Sequence, residues 1–292
     1  MIINRSNIEL VFKGFKSVYD ASFDGTEAHY GKIAMTVPSL SSEEDYGWLG
    51  QFPDLREWVG DRVVHGLSAH GFKIRNKKFE STVTVQRDDI SDDRIGIYKP
   101  MFSEMGRVTK QHPDRLVFGL LKDGFNAVCY DGEKFFSENH PLNSGTVVSN
   151  MQDGTDPEWF LLDASRAVKP IIWQEREKYE FQTIINDQNY YVFMQDQYFY
   201  GIRARVNCGF GLWQLAYGSK APLTKANYEA ARAAMMDFRG DKGLLLGIMP
   251  TLLVVGPKLE AAARALLMAD QIDGSSNIWR GSAELVVSPF TA

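Results

Sequence analysis

Between Trp159 and Val206 the apolar side chains follow the two-residue period of a β-strand, and this stretch limits the fold more than any other. Tyr179, Phe181, Thr183 and Ile185 alternate with polar neighbours. So do Tyr198, Tyr200, Ile202, Ala204 and Val206, with Arg203 and Arg205 on the opposite face. Trp159-Phe160-Leu161-Leu162 and Ile171-Ile172-Trp173 are continuous apolar runs of the kind buried on both faces. Helical periods stand on either side. Pro100 suits a first helical position, and Met101, Met105 and Val108 follow at helical spacing. Pro113 restarts or kinks that helix, and Leu116, Leu120 and Leu121 carry it to Asp123-Gly124. At 1.5 Å per residue its roughly 25 residues span about 37 Å. Thr224 caps an alanine-rich helix reaching about Asp237, with Tyr228, Ala231 and Met235 on one stripe. Leu252 to Val255 forms a short strand, Gly256-Pro257 opens a helix with Leu259, Ala263, Leu266 and Leu267, and Ala283 to Val287 forms a last strand. There is no internal repeat. The class is α+β.

The first sixty residues carry many aromatics but read as short pieces. Ser41-Ser42-Glu43-Glu44 has the hydroxyls and acids of a helix start, ended by Gly50 and Pro53. A second short helical piece carries Leu55, Trp58 and Val59 on one face. So broken a region makes no core of its own and is expected to pack across the main body or a neighbouring subunit. Residues 72–87 read as a β-hairpin with its turn at Asn76-Lys77, because Phe72 and Ile74, then Phe79, Ser81, Val83 and Val85, alternate with polar residues. Its charge is lopsided: Lys73, Arg75, Lys77 and Lys78 cluster near the tip, and Asp88, Asp89, Asp92 and Asp93 follow at the base. Such a hairpin is either a solvated edge kept apart by its lysines or an arm pairing with an acidic surface on another copy.

Composition removes several classes. In 292 residues, 44% apolar and 24% charged, disorder is excluded, and a net charge of −5 argues against a surface that grips nucleic acid throughout. The longest apolar stretch, Leu244 to Val255, is broken by Gly247 and Pro250 and falls short of the roughly 20 residues of a membrane span. Two cysteines, Cys129 and Cys208, make no disulfide framework, and the N-terminus is no secretory signal, so a soluble protein of a reducing compartment is expected.

Signatures of chemistry fail at identifiable residues. Gly66-Leu67-Ser68-Ala69-His70 approaches a nucleophile elbow, but His70 stands where the final glycine belongs. Tyr217-Gly218-Ser219-Lys220 has the wrong order for a phosphate loop, and Pro257 removes an N–H where Gly256-Pro257 would need one. Among His29, His65, His70, His112 and His140 no pair has metal spacing. His140, next to Pro141 and near Glu138, is the most site-like and reads as a residue that fixes a loop. The paired acids read as a solvated face, and both cysteines as small core residues. No catalytic, cofactor-binding or metal-ligating set stands out.

The order of arm, charged hairpin, long helix and mixed domain, together with several local stretches, resembles the tailed-phage capsid fold of the Hong Kong type. More specifically, the chain resembles the major head (major capsid) proteins of Mu-type phages and prophages. The matching stretches run from Ile2-Ile3-Asn4-Arg5 through Phe72 to Glu80, Asp131 to Phe136 with His140-Pro141, and Trp159 to Asp163 with Lys169 to Ile172. They continue through Gly209 to Ser219, Pro250 to Val255 and Ala283 to Val287.

The resemblance implies a non-enzymatic assembly role without cofactors. Hexamers and pentamers would close an icosahedral head, assembled in the bacterial cytoplasm, around double-stranded DNA held non-specifically. A scaffold protein, a portal and a decoration protein would be partners. It also implies a division into an N-terminal arm (residues 1–65), an extended β-hairpin loop (66–95), a peripheral domain with a spine helix (96–195) and an axial domain (196–292) with a final strand returning to the body. Lys73, Arg75, Lys77, Lys78, Asp88, Asp89, Asp92 and Asp93 would make inter-subunit contacts. Some relatives form Lys–Asn isopeptide bonds; no partner is marked for Lys73, Lys77 or Lys78, so non-covalent locking is expected, with a separate scaffold and little N-terminal trimming. An encapsulin-like shell and, from another class, a small-molecule enzyme of α+β fold are the alternatives.

Overall fold

The computed structural model describes residues 2–50, 71–142, 145–240, 243–272 and 274–292. In chain order the elements begin with α1 (Arg5–Gly25), α2 (Tyr30–Ile33), β1 (Ala34–Pro38), β2 (Glu43–Asp45), β3 (Lys73–Arg75), β4 (Lys77–Gln86), α3 (Arg87–Ser91) and α4 (Lys99–Asp123). Three two-residue strands or short strands follow, β5 (His140–Pro141), β6 (Val147–Val148) and β7 (Met151–Gln152), then β8 (Trp159–Leu162), β9 (Ile171–Ile184), α5 (Tyr190–Gln195) and β10 (Gln197–Phe210). The last part holds β11 (Ala216–Ser219), α6 (Lys225–Met236), β12 (Leu252–Val255), α7 (Glu260–Met268), β13 (Gln271–Ile272), β14 (Ser275–Ser276) and β15 (Glu284–Val287). Two sheets organise these pieces, one in the order β1-β9-β10-β4 and the other β15-β12-β8-β11-β7.

The N-terminal region departs from the reading as short pieces. α1 is a helix of 21 residues, started by the Asn4 side chain, which accepts from the Asn7 N–H. Its charges interrupt every apolar run in sequence, yet at 3.6 residues per turn Ile8, Val11, Phe15 and Tyr19 share one buried stripe. That stripe lies on α4, where Phe15 stacks on Phe102 with centroids 4.3 Å apart. The Ser41–Glu44 stretch is no helix start either. Glu44 turns its carboxylate back onto the N–H groups of Leu40 and Ser41 at 2.6 and 3.1 Å, and residues 43–45 leave as β2. The helical piece expected around Leu55, Trp58 and Val59 lies outside the described residues.

α4 runs over 25 residues with Pro113 inside, as its spacing predicts. Met105 and Leu121 of the expected stripe face inward together with Phe102, Val117 and Phe118, while Met101 and Val108 are about half exposed.

The hairpin expected at residues 72–87 does not form. β3 and β4 are separated by Asn76 alone, too short a connection to reverse the chain, since the tightest hairpins need two loop residues. Asn76 is instead pinned from the side: its N–H donates to the Ser42 carbonyl, and its amide nitrogen to Ser39 Oγ and the Ser41 carbonyl. The chain therefore runs on. β3 pairs antiparallel with β2, Asp45 opposite Lys73, and β4 becomes the edge strand beside β10, Val85 opposite Tyr198. The edge position explains the light apolar load of β4.

β9 and β10 are 14 residues each, so the two strands read at Ile171–Trp173 and Tyr179–Ile185 are one. Its first four residues are fully covered and the rest alternate. The larger core gathers Trp159 to Leu162, Ile171 to Trp173, Phe135, Phe136, Phe210, Trp213 and Leu252 to Val255. A second core joins Ile8, Phe15, Tyr19, Phe102, Tyr198, Tyr200 and Ile202. The division expected at 195/196 falls in the connection between the paired strands β9 and β10, which run through both cores.

Candidate functional site

The expected contact residues occupy two ends of one strand. Lys73, Arg75, Lys77 and Lys78 are exposed around Asn76, and Lys73 Nζ lies 3.2 Å from Glu43 across the β2–β3 pair. Arg75, Lys77 and Lys78 make no ion pair among the described residues. Asp88 and Asp89 fall in α3, with Asp92 and Asp93 just after it, some 30 Å along at about 3.3 Å per strand residue. Asp89 is engaged internally: the Tyr98 hydroxyl donates to it at 2.6 Å, and Arg94 lies 3.4 Å away. The structure thus keeps the basic and acidic groups apart within one chain, leaving the basic cluster and Asp88, Asp92 and Asp93 facing outward.

At the turn between β9 and β10, α5 exposes Tyr190 (68%), Tyr191 (57%), Phe193 (78%) and Met194 (60%), while only Val192 is buried. The tip is built firmly. Asn189 caps the helix by accepting from the Tyr191 N–H, and Asp196 closes it in the left-handed region at φ +50°. Below it, the Tyr198 hydroxyl donates to Asp187 at 2.6 Å, and Arg87 lies 3.3 Å from Asp187. Five apolar residues in a row, Tyr190 to Met194, carried a signal, but an unbroken run reads as a buried strand and says nothing of exposure. These exposed aromatic and apolar side chains on an ordered element make α5 a candidate contact surface.

The chemical candidates are structural in this fold. His140 is fully buried between Asp131, at 2.7 Å from Nδ1, and Asn150, at 3.1 Å from Nε2, with its ring stacked on Trp213 at 3.9 Å. It ties a loop, as its sequence context suggests. Cys129 is brought beside it, 3.1 Å from Asp131, although sequence spacing marked no such cluster. His112 meets the Tyr179 hydroxyl at 2.5 Å, and burial holds its imidazole below the ordinary histidine value. Asp114, pushed up by burial, accepts from the N–H groups of His29 and Tyr30 and so docks α2 on α4. Ser219 is buried against Gln152, Gly256-Pro257 is a tight strand-to-helix connection, and Ser68, His65 and His70 lie outside the described residues. Among the described residues no helix is long and apolar enough to cross a membrane.

A long helix carrying a packed N-terminal helix, a long-stranded sheet and a second five-stranded sheet with two helices define a subunit of the tailed-phage capsid class. The model of the family "Mu-like prophage major head subunit gpT" matches residues 8–291, and the chain belongs to that family. It is 42% identical to the major capsid protein of Escherichia phage Mu over 99% of this chain and 100% of that protein. It is 40% identical to the Mu-like prophage FluMu major head subunit of Haemophilus influenzae, over 89% and 88% of the two chains. A subunit from the procapsid of bacteriophage JBD30 superposes with a TM-score of 0.87 at 39% identity, covering 99% of this chain and 100% of that one. The protein is a major head subunit of the phage capsid.

Proposed function

We propose that the chain assembles into hexamers and pentamers of a closed icosahedral head around double-stranded DNA, and that it performs no catalytic step of its own. The observation that carries this reading is the full-length agreement with a procapsid subunit. α1, α4 and the sheet β1-β9-β10-β4 correspond in this reading to the peripheral domain, and α6, α7 with the sheet β15-β12-β8-β11-β7 to the axial one, a division by sheet and not at residue 195. The α5 tip packs on a neighbouring copy, burying aromatics worth about 1.5–3 kcal/mol each. A net charge of −5 suits a shell that encloses DNA without adhering to it. A scaffold protein, a portal and a decoration protein complete the assembly.

Negative-stain electron microscopy and analytical ultracentrifugation of the recombinant chain, alone and with its scaffold, test this. Rings of five or six, sheets, tubes or closed shells are expected. A strictly monomeric 33.0 kDa species under both conditions overturns the proposal.

A further inference from the structure

The Asp131 turn, β5 and the segment ahead of β7 bring three different metal-ligating groups together. Cys129 Sγ, an Asp131 carboxylate oxygen and a His140 ring nitrogen all lie within 4.8 Å of one another. The turn is tight: Val128 bridges Lys134, the Cys129 N–H donates to the Glu133 carbonyl, and Gly132 takes φ +90°. All three side chains are covered. His140 is fully buried, Cys129 is 4% exposed and the Asp131 side chain 10%.

The hydrogen bonds around His140 settle which ring nitrogen carries hydrogen. The Ser137 N–H, which can only donate, lies 2.9 Å from Asn150 Oδ1, while Asn150 Nδ2 faces the carbonyls of Phe135, Trp213 and Ala216. The amide orientation is therefore fixed, and Oδ1 is an acceptor. His140 Nε2, 3.1 Å from that oxygen, must donate to it. Nδ1 then turns its other side to Asp131 Oδ2 at 2.7 Å, a contact in which either a shared proton or a metal ion can sit between the two atoms. A metal-bound imidazole whose far N–H is held by a protein oxygen is the usual supporting arrangement of such sites. The Cys129 thiol meets Oδ1 of the same carboxylate at 3.1 Å.

We propose that Cys129, Asp131 and His140 bind a zinc ion through Sγ, a carboxylate oxygen and Nδ1. Tetrahedral zinc with bonds of about 2.0–2.3 Å sets its ligand atoms about 3.3–3.6 Å apart, so Nδ1 and Oδ2, now 2.7 Å apart, must separate as the ion enters. Sulfur, imidazole and carboxylate together select zinc or cobalt over magnesium or calcium. The thiol proton, and any second ring proton, leaves to solvent as the metal enters, and water takes the fourth position on the side where Asp131 keeps its exposure. The ion would pin the turn after α4 to β5 and to Trp213.

The test uses the full-length, unassembled chain after chelator treatment, titrated with Co²⁺ and with Zn²⁺. One cobalt per chain is expected, with a sulfur-to-cobalt charge-transfer band that is lost in Cys129→Ser. That variant is nearly isosteric and keeps a donor for Asp131, so it retains the fold. ¹⁵N NMR of the His140 ring should show Nδ1 without hydrogen once zinc is stoichiometric. A cobalt spectrum with no charge-transfer band, the same binding in Cys129→Ser, or a ring still carrying both hydrogens at stoichiometric zinc each overturns the proposal. None of these readouts depends on shell assembly.

Discussion

Gly106 in α4 faces the carbonyl oxygen of Tyr19 in α1 so closely that a Cβ at position 106 would stand 2.4 Å from it, and 3.0 Å from the Phe23 nitrogen. The neighbours are backbone and cannot swing aside. Gly106→Ala is therefore expected to destabilise the subunit by about 1–3 kcal/mol through overpacking, outweighing the 0.5–1 kcal/mol or so that alanine adds inside a helix. Gly119→Ala, with nothing within 4 Å, is the control and should be neutral or slightly stabilising. Urea denaturation of both variants checks this; equal stabilities would mean the α1–α4 contact is loose.

Glu44 gives a pH dependence with a definite sign. The Leu40 N–H, then the Ser39 hydroxyl and the Ser41 N–H, hold its carboxyl below the ordinary glutamate value. The unfolded chain binds the proton more readily, so the stabilisation is complete above that ordinary value and is lost as pH falls through the lower, folded one. The stability gap between the parent and Glu44→Gln should be widest near neutral pH and close in acid below the ordinary glutamate range. Urea midpoints across a pH series measure it, and a pH-independent gap would remove the ionised carboxylate from this turn.

Phe193→Ser with Met194→Ser should leave the thermal midpoint of the unassembled subunit nearly unchanged, because both side chains face solvent. Assembly, followed by light scattering and electron microscopy, should fall steeply. Val192→Ala makes the contrast: it opens the second core under the tip and is expected to cost about 1–3 kcal/mol of subunit stability. Normal shells from the double variant would take α5 out of the interface.

Reversal of Lys77 and Lys78 to Glu should yield a folded subunit that assembles poorly, since neither lysine has an ionic partner among the described residues. Adding Lys73→Glu also sets a second carboxylate beside Glu43 across the β2–β3 pair, so the double variant is the cleaner one. Sedimentation of the variants against the parent decides the matter, and unchanged assembly would dismiss a basic-to-acidic contact here.

Shells boiled in detergent should run as a single band near 33.0 kDa. A ladder of multiples would establish covalent links between subunits, with Lys73, Lys77 and Lys78 the first residues to map.

Elements that carry their own period were legible in the chain. α4 lies within a residue of its expected span, Thr224 caps α6 by accepting from the Asn227 N–H, and β12 is the short buried strand its composition describes. The alternation of β10 placed Tyr198, Tyr200 and Ile202 inside, and left Arg203 and Arg205 to meet Glu177 across the strand pair. α1 has a period too, but its charges lie between the apolar residues in sequence and only on a helix fall to the far side from Ile8, Val11, Phe15 and Tyr19. The family was recognisable from stretches spread along the whole chain.

Pairing and exposure were not legible. Residues 72–87 alternate as a hairpin would, yet β3 joins β2 some thirty residues earlier and β4 joins β10 more than a hundred later. Periodicity records which side of a strand is covered, while its partner is selected by long-range closure, here by Asn76 pinned to Ser39 and Ser41. Burial is likewise a property of the assembled neighbours: Trp159 to Leu162 and Tyr190 to Met194 are equally apolar in sequence, and the first is sealed between strands while Tyr190, Tyr191, Phe193 and Met194 of the second are exposed. Cys129, Asp131 and His140 converge for the same reason, since a turn, a two-residue strand and the Asn150 amide must all be in place before the three side chains face one another.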